Sequence, residues 1–245
     1  MKSLAVSKPF CLLAVKGINP FKLKTGIRYI VMITFLPLLL ATAAWGQKPI
    51  RSNFRADFCI PVITSNYALR TSFSEIIDVN TSYHFTIAKK LTVGPAFSFT
   101  HFTIDSLSNP GFSTRMFILT PAADIGYQTF MGDNSIFTGS VQVGYSLNRF
   151  TNVFSDTLKT PTGYNTNGLS IEPMLRFYFF TGDRVALGFK LSYKMIFQNF
   201  NYRNLYLEKY QVFTDKQSSG NIGYFNAGLV FLIGTSKKSL RNTAD

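Results

Sequence analysis

Ile136-Phe-Thr-Gly-Ser-Val-Gln-Val-Gly-Tyr-Ser-Leu-Asn148 alternates almost without error. Phe137, Gly139, Val141, Val143, Tyr145 and Leu147 share one face, and Thr138, Ser140, Gln142, Gly144, Ser146 and Asn148 share the other. Successive side chains of a β-strand point to opposite faces, so period two is the mark of a strand. Seven further stretches read the same way, which places eight strands at 50–63, 73–88, 91–104, 114–128, 136–148, 169–180, 185–198 and 222–234.

The connections alternate in length. Strands two and three are joined by Lys89-Lys90, four and five by the turn 131–134, and six and seven by Thr181-Gly-Asp-Arg184. Gly-Asp and Asp-Asn supply hairpin-turn chemistry. The other four connections, 64–72, 105–113, 149–168 and 199–221, are long and polar. Long and short in strict alternation is the signature of an up-and-down transmembrane β-barrel, with tight turns on the periplasmic side and long loops outside the cell. Each run also supplies the 9 to 11 residues that a tilted strand needs to cross.

Alternation alone does not say which face is inside. Charged residues are 15% of the chain, against about 25% in ordinary soluble domains. The polar face is built of Ser, Thr, Gly, Asn and Gln, whereas a soluble surface runs to about 25–35% charged residues. Aromatics reach 16% and gather on the apolar face, where Tyr83, Phe85, Phe97, Phe99, Tyr127, Tyr145, Phe177, Phe179 and Phe197 fall, many near strand ends, as in an interfacial girdle. The fold expected is an all-β, eight-stranded antiparallel up-and-down transmembrane β-barrel with lipid outside and a small polar interior. Pro95, Pro121 and Pro173 lie inside strands on the lipid face, and each is expected to mark a bulge or a strained spot.

The first 46 residues differ from the rest. Six bases and no acid precede the apolar run 29–44, and Ala44-Trp45-Gly46 suits a signal-peptidase site, so a signal peptide at 1–46 is expected. The barrel then occupies 47–235, followed by a polar tail at 236–245. The whole chain carries +13; removing the leader takes six of the 25 bases and none of the 12 acids, leaving +7. These bases are scattered, which argues against a nucleic-acid partner. Cys11 leaves with the leader, so Cys59 is alone and no intramolecular disulfide forms.

If the apolar set faces lipid, the alternate set faces the lumen. It holds Arg55, Asp57, Asp78, His84, Asp124, Glu172, Arg176, Lys190 and Lys194. Isolated charge in a narrow interior is costly, so four acids beside four bases predict mutual pairing. Counting outward from the turn at 181–184 predicts a Glu172–Lys194 ion pair, with Asp57 and Asp124 available to Arg176, Lys190 or Arg55. Two uses compete for this network: lining a narrow pore for protons, ions or a small solute, or filling the barrel. An eight-stranded barrel has an interior just wide enough to be filled by side chains, so filling is the reading adopted.

The loop 199–221 offers binding candidates. Phe200, Tyr202, Arg203, Tyr206 and Tyr210 combine aromatic with basic character, which suits an extracellular protein or an anionic glycan. The alternative is a protruding hairpin whose aromatics pack on one another.

Chemistry is sparse elsewhere. His84 and His101 fall on opposite faces and no His/Cys spacing fits zinc. No Asp-rich loop fits calcium, and no phosphate loop appears, so neither metal nor cofactor is expected. His101, Asp105 and Ser106 at the outer end of strand three raise the thought of a lipid-modifying enzyme, but nothing unites a hydroxyl, an imidazole and a carboxylate, and no enzyme is expected.

The text 169–189, Leu-Ser-Ile-Glu-Pro-Met-Leu-Arg-Phe-Tyr-Phe-Phe-Thr-Gly-Asp-Arg-Val-Ala-Leu-Gly-Phe, resembles the outer-membrane protein beta-barrel domain family common in the Bacteroidota. That family shows a Pro-x-x-Arg-Tyr/Phe-Tyr-Phe strand, a tight turn and an Ala-Leu-Gly strand; 88–95 resembles its turn-and-strand text too. The resemblance implies a small outer-membrane barrel without a catalytic signature. A few PorT-like members assist secretion, but that subgroup's text is absent here. The polar tail 236–245 also departs from the aromatic ending common in barrels. The role expected is a monomeric, structural or surface-interacting barrel in the Gram-negative cell outer membrane, contacting outer-membrane lipid and, through its loops, an external protein or glycan.

Overall fold

The computed structural model describes residues 52–88, 90–104, 114–132, 134–153, 162–182, 184–205, 207, 212, 214 and 218–234; the leader and the C-terminal tail lie outside them. The strands are β1 (Ser52–Ile63), β2 (Phe73–Thr86), β3 (Leu91–Ile104), β4 (Arg115–Met131), β5 (Ser135–Val153), β6 (Thr162–Phe180), β7 (Val185–Asn201) and β8 (Ser219–Ile233). Each pairs antiparallel with the next, and β8 returns to β1, with Phe54 opposite Ile233 and Ile63 opposite Tyr224. This is a closed eight-stranded antiparallel up-and-down barrel, as the alternation predicts.

The tight turns are hydrogen-bonded hairpin ends. Ile87 N donates to Leu91 O (3.0 Å), and Thr181 N to Val185 O (3.1 Å). At the turn between β4 and β5, Gly132 takes φ 71°, a left-handed conformation that costs glycine nothing. The long connections carry short structure. A helix, α1 (Tyr67–Ser72), is capped by Asn66, whose side chain accepts from Leu69 N (3.3 Å). A 3-10 turn spans Tyr202–Leu205.

The faces sort cleanly. Across 54–62, 77–85, 91–99, 117–127, 137–147, 169–179, 185–197 and 225–233, every charged residue and every histidine is buried inside the barrel; they are the nine that period two assigns to the lumen. The outward residues of these spans are apolar or small, with Phe58, Ile60, Ile125, Tyr127, Leu175, Phe189 and Leu229 about half exposed. Leaving such a belt in water would forgo about 25 cal/mol for each Å² of apolar surface. A belt of this kind closed on itself suits hydrocarbon, since every ladder hydrogen bond is internal and no edge remains.

The prolines correct one expectation. None of the three shifts the register. Pro95 pairs with Ala123 of β4, while toward β2 the pairing steps from Ala96–Ser82 to Val93–Phe85 without slipping. Pro121 faces Phe97 on one side, and on the other the pairs run from Leu119–Leu147 to Ala122–Gly144. Pro173 behaves likewise between Val141 and β7. In an antiparallel sheet the N–H and C=O of one residue turn to the same neighbour, so each proline interrupts one ladder only. The register shifts that do occur, at Glu75/Ile77, Phe150/Val153 and Ile196/Phe200, sit at the long-loop ends.

Candidate functional site

The lumen is where the sequence concentrates its charge, and seven of the nine charged or histidine side chains there form one chain of contacts. Arg176 is its hub: Nη2 and Nε donate to Asp57 Oδ2 (2.8 and 3.2 Å), and Nη1 donates to Asp124 Oδ2 (3.3 Å) and Ser140 Oγ (3.0 Å). Asp57 Oδ2 also lies 3.5 Å from Lys190 Nζ, which reaches Glu172 Oε1 at 3.0 Å. Glu172 Oε2 is 3.9 Å from Lys194 Nζ. At the other end His84 Nε2 stands 3.4 Å from Asp124 Oδ2. The run His84–Asp124–Arg176–Asp57–Lys190–Glu172–Lys194 therefore crosses the barrel through side chains of β1, β2, β4, β6 and β7.

Register explains why these side chains meet. Arg176 pairs with Lys190, and the pairs Ile171–Met195 and Met174–Ser192 set Glu172 level with Lys194. The Glu172–Lys194 contact is the looser one. Lys194 Nζ donates to Ser98 Oγ (2.6 Å), while Glu172 Oε1 accepts from Ser192 (2.7 Å), and Asn226 Nδ2 lies 3.4 Å away.

The two remaining charges stand apart. Among the described residues Arg55 has no carboxylate within 4 Å; it donates to Asn53 Oδ1 (2.9 Å) and Gln128 Oε1 (3.2 Å) and lies over the Tyr178 ring, 6.0 Å from its centroid. Asp78 accepts from Thr100 Oγ1 (2.6 Å), whose hydroxyl is 2.9 Å from Tyr224 OH. The polar lumen is thus crossed by hydrogen bonds as well as ion pairs, with Gln142 joining Asn80 to Asp124.

Apolar layers lie above and below this network, and the polar-lumen reading missed them. Toward the long loops, Ile63, Leu69, Phe73, Phe102, Ile104, Met116, Ile118, Phe150, Ile196 and Ile222 form one buried cluster. Toward the turns, Ile136, Tyr178, Ala186, Val230 and Leu232 form a second. The signal was present in the sequence: near the loop ends the face that is polar in mid-strand becomes apolar, as at Phe102, Ile118 and Ile196. There the inward face fills the barrel with apolar side chains.

The loop candidates divide. Phe200 and Tyr202 are not displayed for a partner: they are 1% and 4% exposed and belong to the apolar plug at the mouth. The reason is parity, since Phe200 continues the inward face of β7, and its ring lies 5.7 Å from Phe150. Arg203 is exposed, with its guanidinium 5.8 Å from the Tyr202 ring. Tyr206 and Tyr210 lie outside the described residues, as do Asp105 and Ser106. His101 is on the outer face, stacked on Phe117 at 4.6 Å between centroids. Cys59 is free and buried. Among the described residues no group of three or more His, Cys, Asp or Glu side chains is placed to hold a metal ion.

A first expected outcome follows from the plug. Phe200→Ala should lower barrel stability by about 3 kcal/mol, the ordinary cost of emptying a buried aromatic site. It should leave retention of glycans or proteins on intact cells unchanged. Urea unfolding in lipid vesicles beside a cell-surface binding assay checks both halves.

No family model matches the chain, and no curated protein matches it. Solved structures do share its outline. Neisserial surface protein A, from Neisseria, is 11% identical, covering 74% of this chain and 96% of its own at a TM-score of 0.45. Ail of Yersinia pestis, solved with the heparin analogue sucrose octasulfate, is 8% identical and covers 76% and 100%, at 0.41. OprG of Pseudomonas aeruginosa is 13% identical and covers 78% and 99%, at 0.38. The first is a surface protein and the third an outer-membrane protein by name, and at these values the likeness of all three is one of general outline.

Proposed function

We propose that this chain is an integral outer-membrane β-barrel with a closed lumen, a non-enzymatic protein that acts through its surface rather than its interior. The observation that carries the reading is the sorting of charge. Every charged or histidine side chain within the eight crossing spans is buried in the lumen, and the belt outside carries none. A soluble barrel has no use for that arrangement, whereas a charged side chain on a lipid face costs about 2–4 kcal/mol at the bilayer midplane. The resemblance of 169–189 to the Bacteroidota barrel family agrees with this reading.

Closure is supported by the stacking of layers. A solute path needs a continuous hydrated lumen, and here an apolar cluster fills the loop side of the ionic chain, while on the turn side Ile136, Tyr178, Ala186, Val230 and Leu232 pack beside buried Arg55, Asn53 and Gln128. The long loops and the outer rim are then the parts of the molecule free to meet a partner, a protein or glycan at the cell surface. Strands β5 and β6 continue to Val153 and from Thr162, beyond the apolar belt, as a paired hairpin that projects such a surface.

Planar-bilayer recording tests the closed lumen. The refolded protein should show no steady openings, and neither should Glu172→Ala or Lys194→Ala, because the packing on both sides of the ionic chain remains in place. Steady wild-type openings whose size changes with either substitution would replace this reading with small-solute transport.

A further inference from the structure

The outer surface of β3 to β6 is not uniform. At the loop end of the belt lies a cleft of about 520 Å³ walled by Phe99, Phe117, Leu119 and Leu147, with Arg149 and Asn165 on its lip. The register gives its geometry. Phe99, Leu119, Leu147 and Asn167 form one outward row, and His101, Phe117, Arg149 and Asn165 form the next. Arg115, level with Thr151, begins the row beyond. The cleft therefore runs from apolar to basic over two steps of a strand, about 7 Å each.

This is where the belt ends. On β4 the outward residues from 117 to 127 and on β5 those from 137 to 147 are uncharged, each an 11-residue span that matches one crossing. Arg115 and Arg149 are the next outward residues on the two strands. They are diagonal neighbours, a placement that keeps side chains of this length within reach of one another. Among the described residues neither makes an ion pair, and both are exposed. His101, stacked on Phe117 with ring planes 8° apart, holds one wall of the cleft.

We propose that this cleft binds a phosphorylated lipid of the outer leaflet, with the headgroup phosphate between Arg115 and Arg149 and an acyl chain along Phe99, Phe117, Leu119 and Leu147. The proposal rests on the bilayer reading above. Charge complementarity selects the occupant. Two guanidinium groups without acidic partners among the described residues, set at the depth of lipid headgroups, match a phosphate in the bidentate manner that arginine favours. An apolar cleft directly beneath them accepts the chain that any such headgroup carries. A soluble sulfated or phosphorylated glycan would use the arginines and leave the cleft unfilled.

The test uses the full chain inserted in phosphatidylcholine vesicles containing diphosphoryl lipid A. Native mass spectrometry after detergent extraction reads the fraction that retains lipid A. Arg115→Gln/Arg149→Gln should reduce retention about tenfold, in keeping with the loss of charge-assisted hydrogen bonds. Lys90→Gln/Arg184→Gln, at the turn end, should leave it unchanged. Leu147→Trp keeps both arginines and fills the cleft, so it should also reduce retention, and it serves if the double variant does not fold. Insertion is read separately from heat-modifiable mobility. A chain that enters no vesicle overturns the bilayer reading and this one with it. An inserted chain whose retention is unchanged by the double variant, or equally reduced by the turn-end pair, overturns this one alone. Displacement by excess inorganic phosphate with indifference to Leu147→Trp overturns it in favour of a free-anion site.

Discussion

Replacing Arg176 by alanine is expected to cost the folded barrel about 3–5 kcal/mol, the range for breaking a buried ion pair from one side. Arg176 touches two carboxylates at once, Asp57 at 2.8 Å and Asp124 at 3.3 Å, and all three side chains are buried. Removing it leaves Asp124 with His84 and Gln142, and Asp57 with Lys190 alone at 3.5 Å. Uncompensated carboxylate in a closed lumen has no water to turn to, which is why the loss exceeds that of a surface pair by several-fold. Urea unfolding of the refolded protein in vesicles measures it. The partner substitution sharpens the result: Arg176→Met with Asp57→Asn removes one charge of each sign and should recover about half of the lost stability. Lys194→Met should cost much less, since Lys194 stands 3.9 Å from Glu172 and its closest contact is a serine. A loss below about 1 kcal/mol for Arg176→Ala would mean that water reaches and screens the network. The closed-lumen proposal would then fail together with the pairing argument.

What the sequence disclosed and what it hid follow one physical rule. Period two discloses the face of a residue, so all nine lumen charges were legible, and a single turn at 181–184 was enough to bring Glu172 level with Lys194. Partner choice beyond one hairpin was not legible. Asp57 and Arg176 lie on β1 and β6, and nothing local says that a closed barrel sets them 2.8 Å apart. The extensions of β5 and β6 were hidden because their outward residues, Arg149 on β5 and Gly163, Asn165 and Asn167 on β6, are polar or small, so strand periodicity has no apolar partner to reveal it; Phe150 and Tyr164, inward and 5.5 Å apart, were the trace left in the text. Phe200 and Tyr202 misled for a related reason. An aromatic in a long polar connection reads as display, but Phe200 stands two residues beyond inward Gln198, on the same face, and so fills the mouth of the barrel. The prolines misled because a ladder with two sides tolerates the loss of one donor without moving register.

Gly188→Ala is expected to abolish the folded barrel or destabilise it by about 3 kcal/mol or more, beyond the usual range for overpacking, because what it strikes is backbone. Gly188 is paired with Tyr178 of β6 and Val230 of β8, both members of the apolar layer at the turn end. A Cβ there would sit 1.7 Å from Phe177 O, 2.7 Å from the carbonyl carbon and 2.9 Å from Tyr178 Cα. None of these atoms belongs to a side chain that can swing away, and β6 is held on its other edge by β5 through Phe137–Phe177 and Ile136–Tyr178. The comparison is Gly139→Ala on the outer face of β5, where the added carbon would meet only Leu175 Cδ2 at 3.8 Å. That substitution should change stability by no more than about 0.5 kcal/mol, and lost chain entropy in the unfolded state favours it. The pair separates close backbone approach from any general intolerance of alanine in strands, and heat-modifiable mobility with urea unfolding reads both variants. Equal tolerance of the two would mean that β6 and β7 stand further apart than their register implies. A looser wall at the level of Tyr178 would open the layer that closes the lumen on the turn side, so this substitution tests the closed barrel from the backbone as Arg176→Ala tests it from the charges.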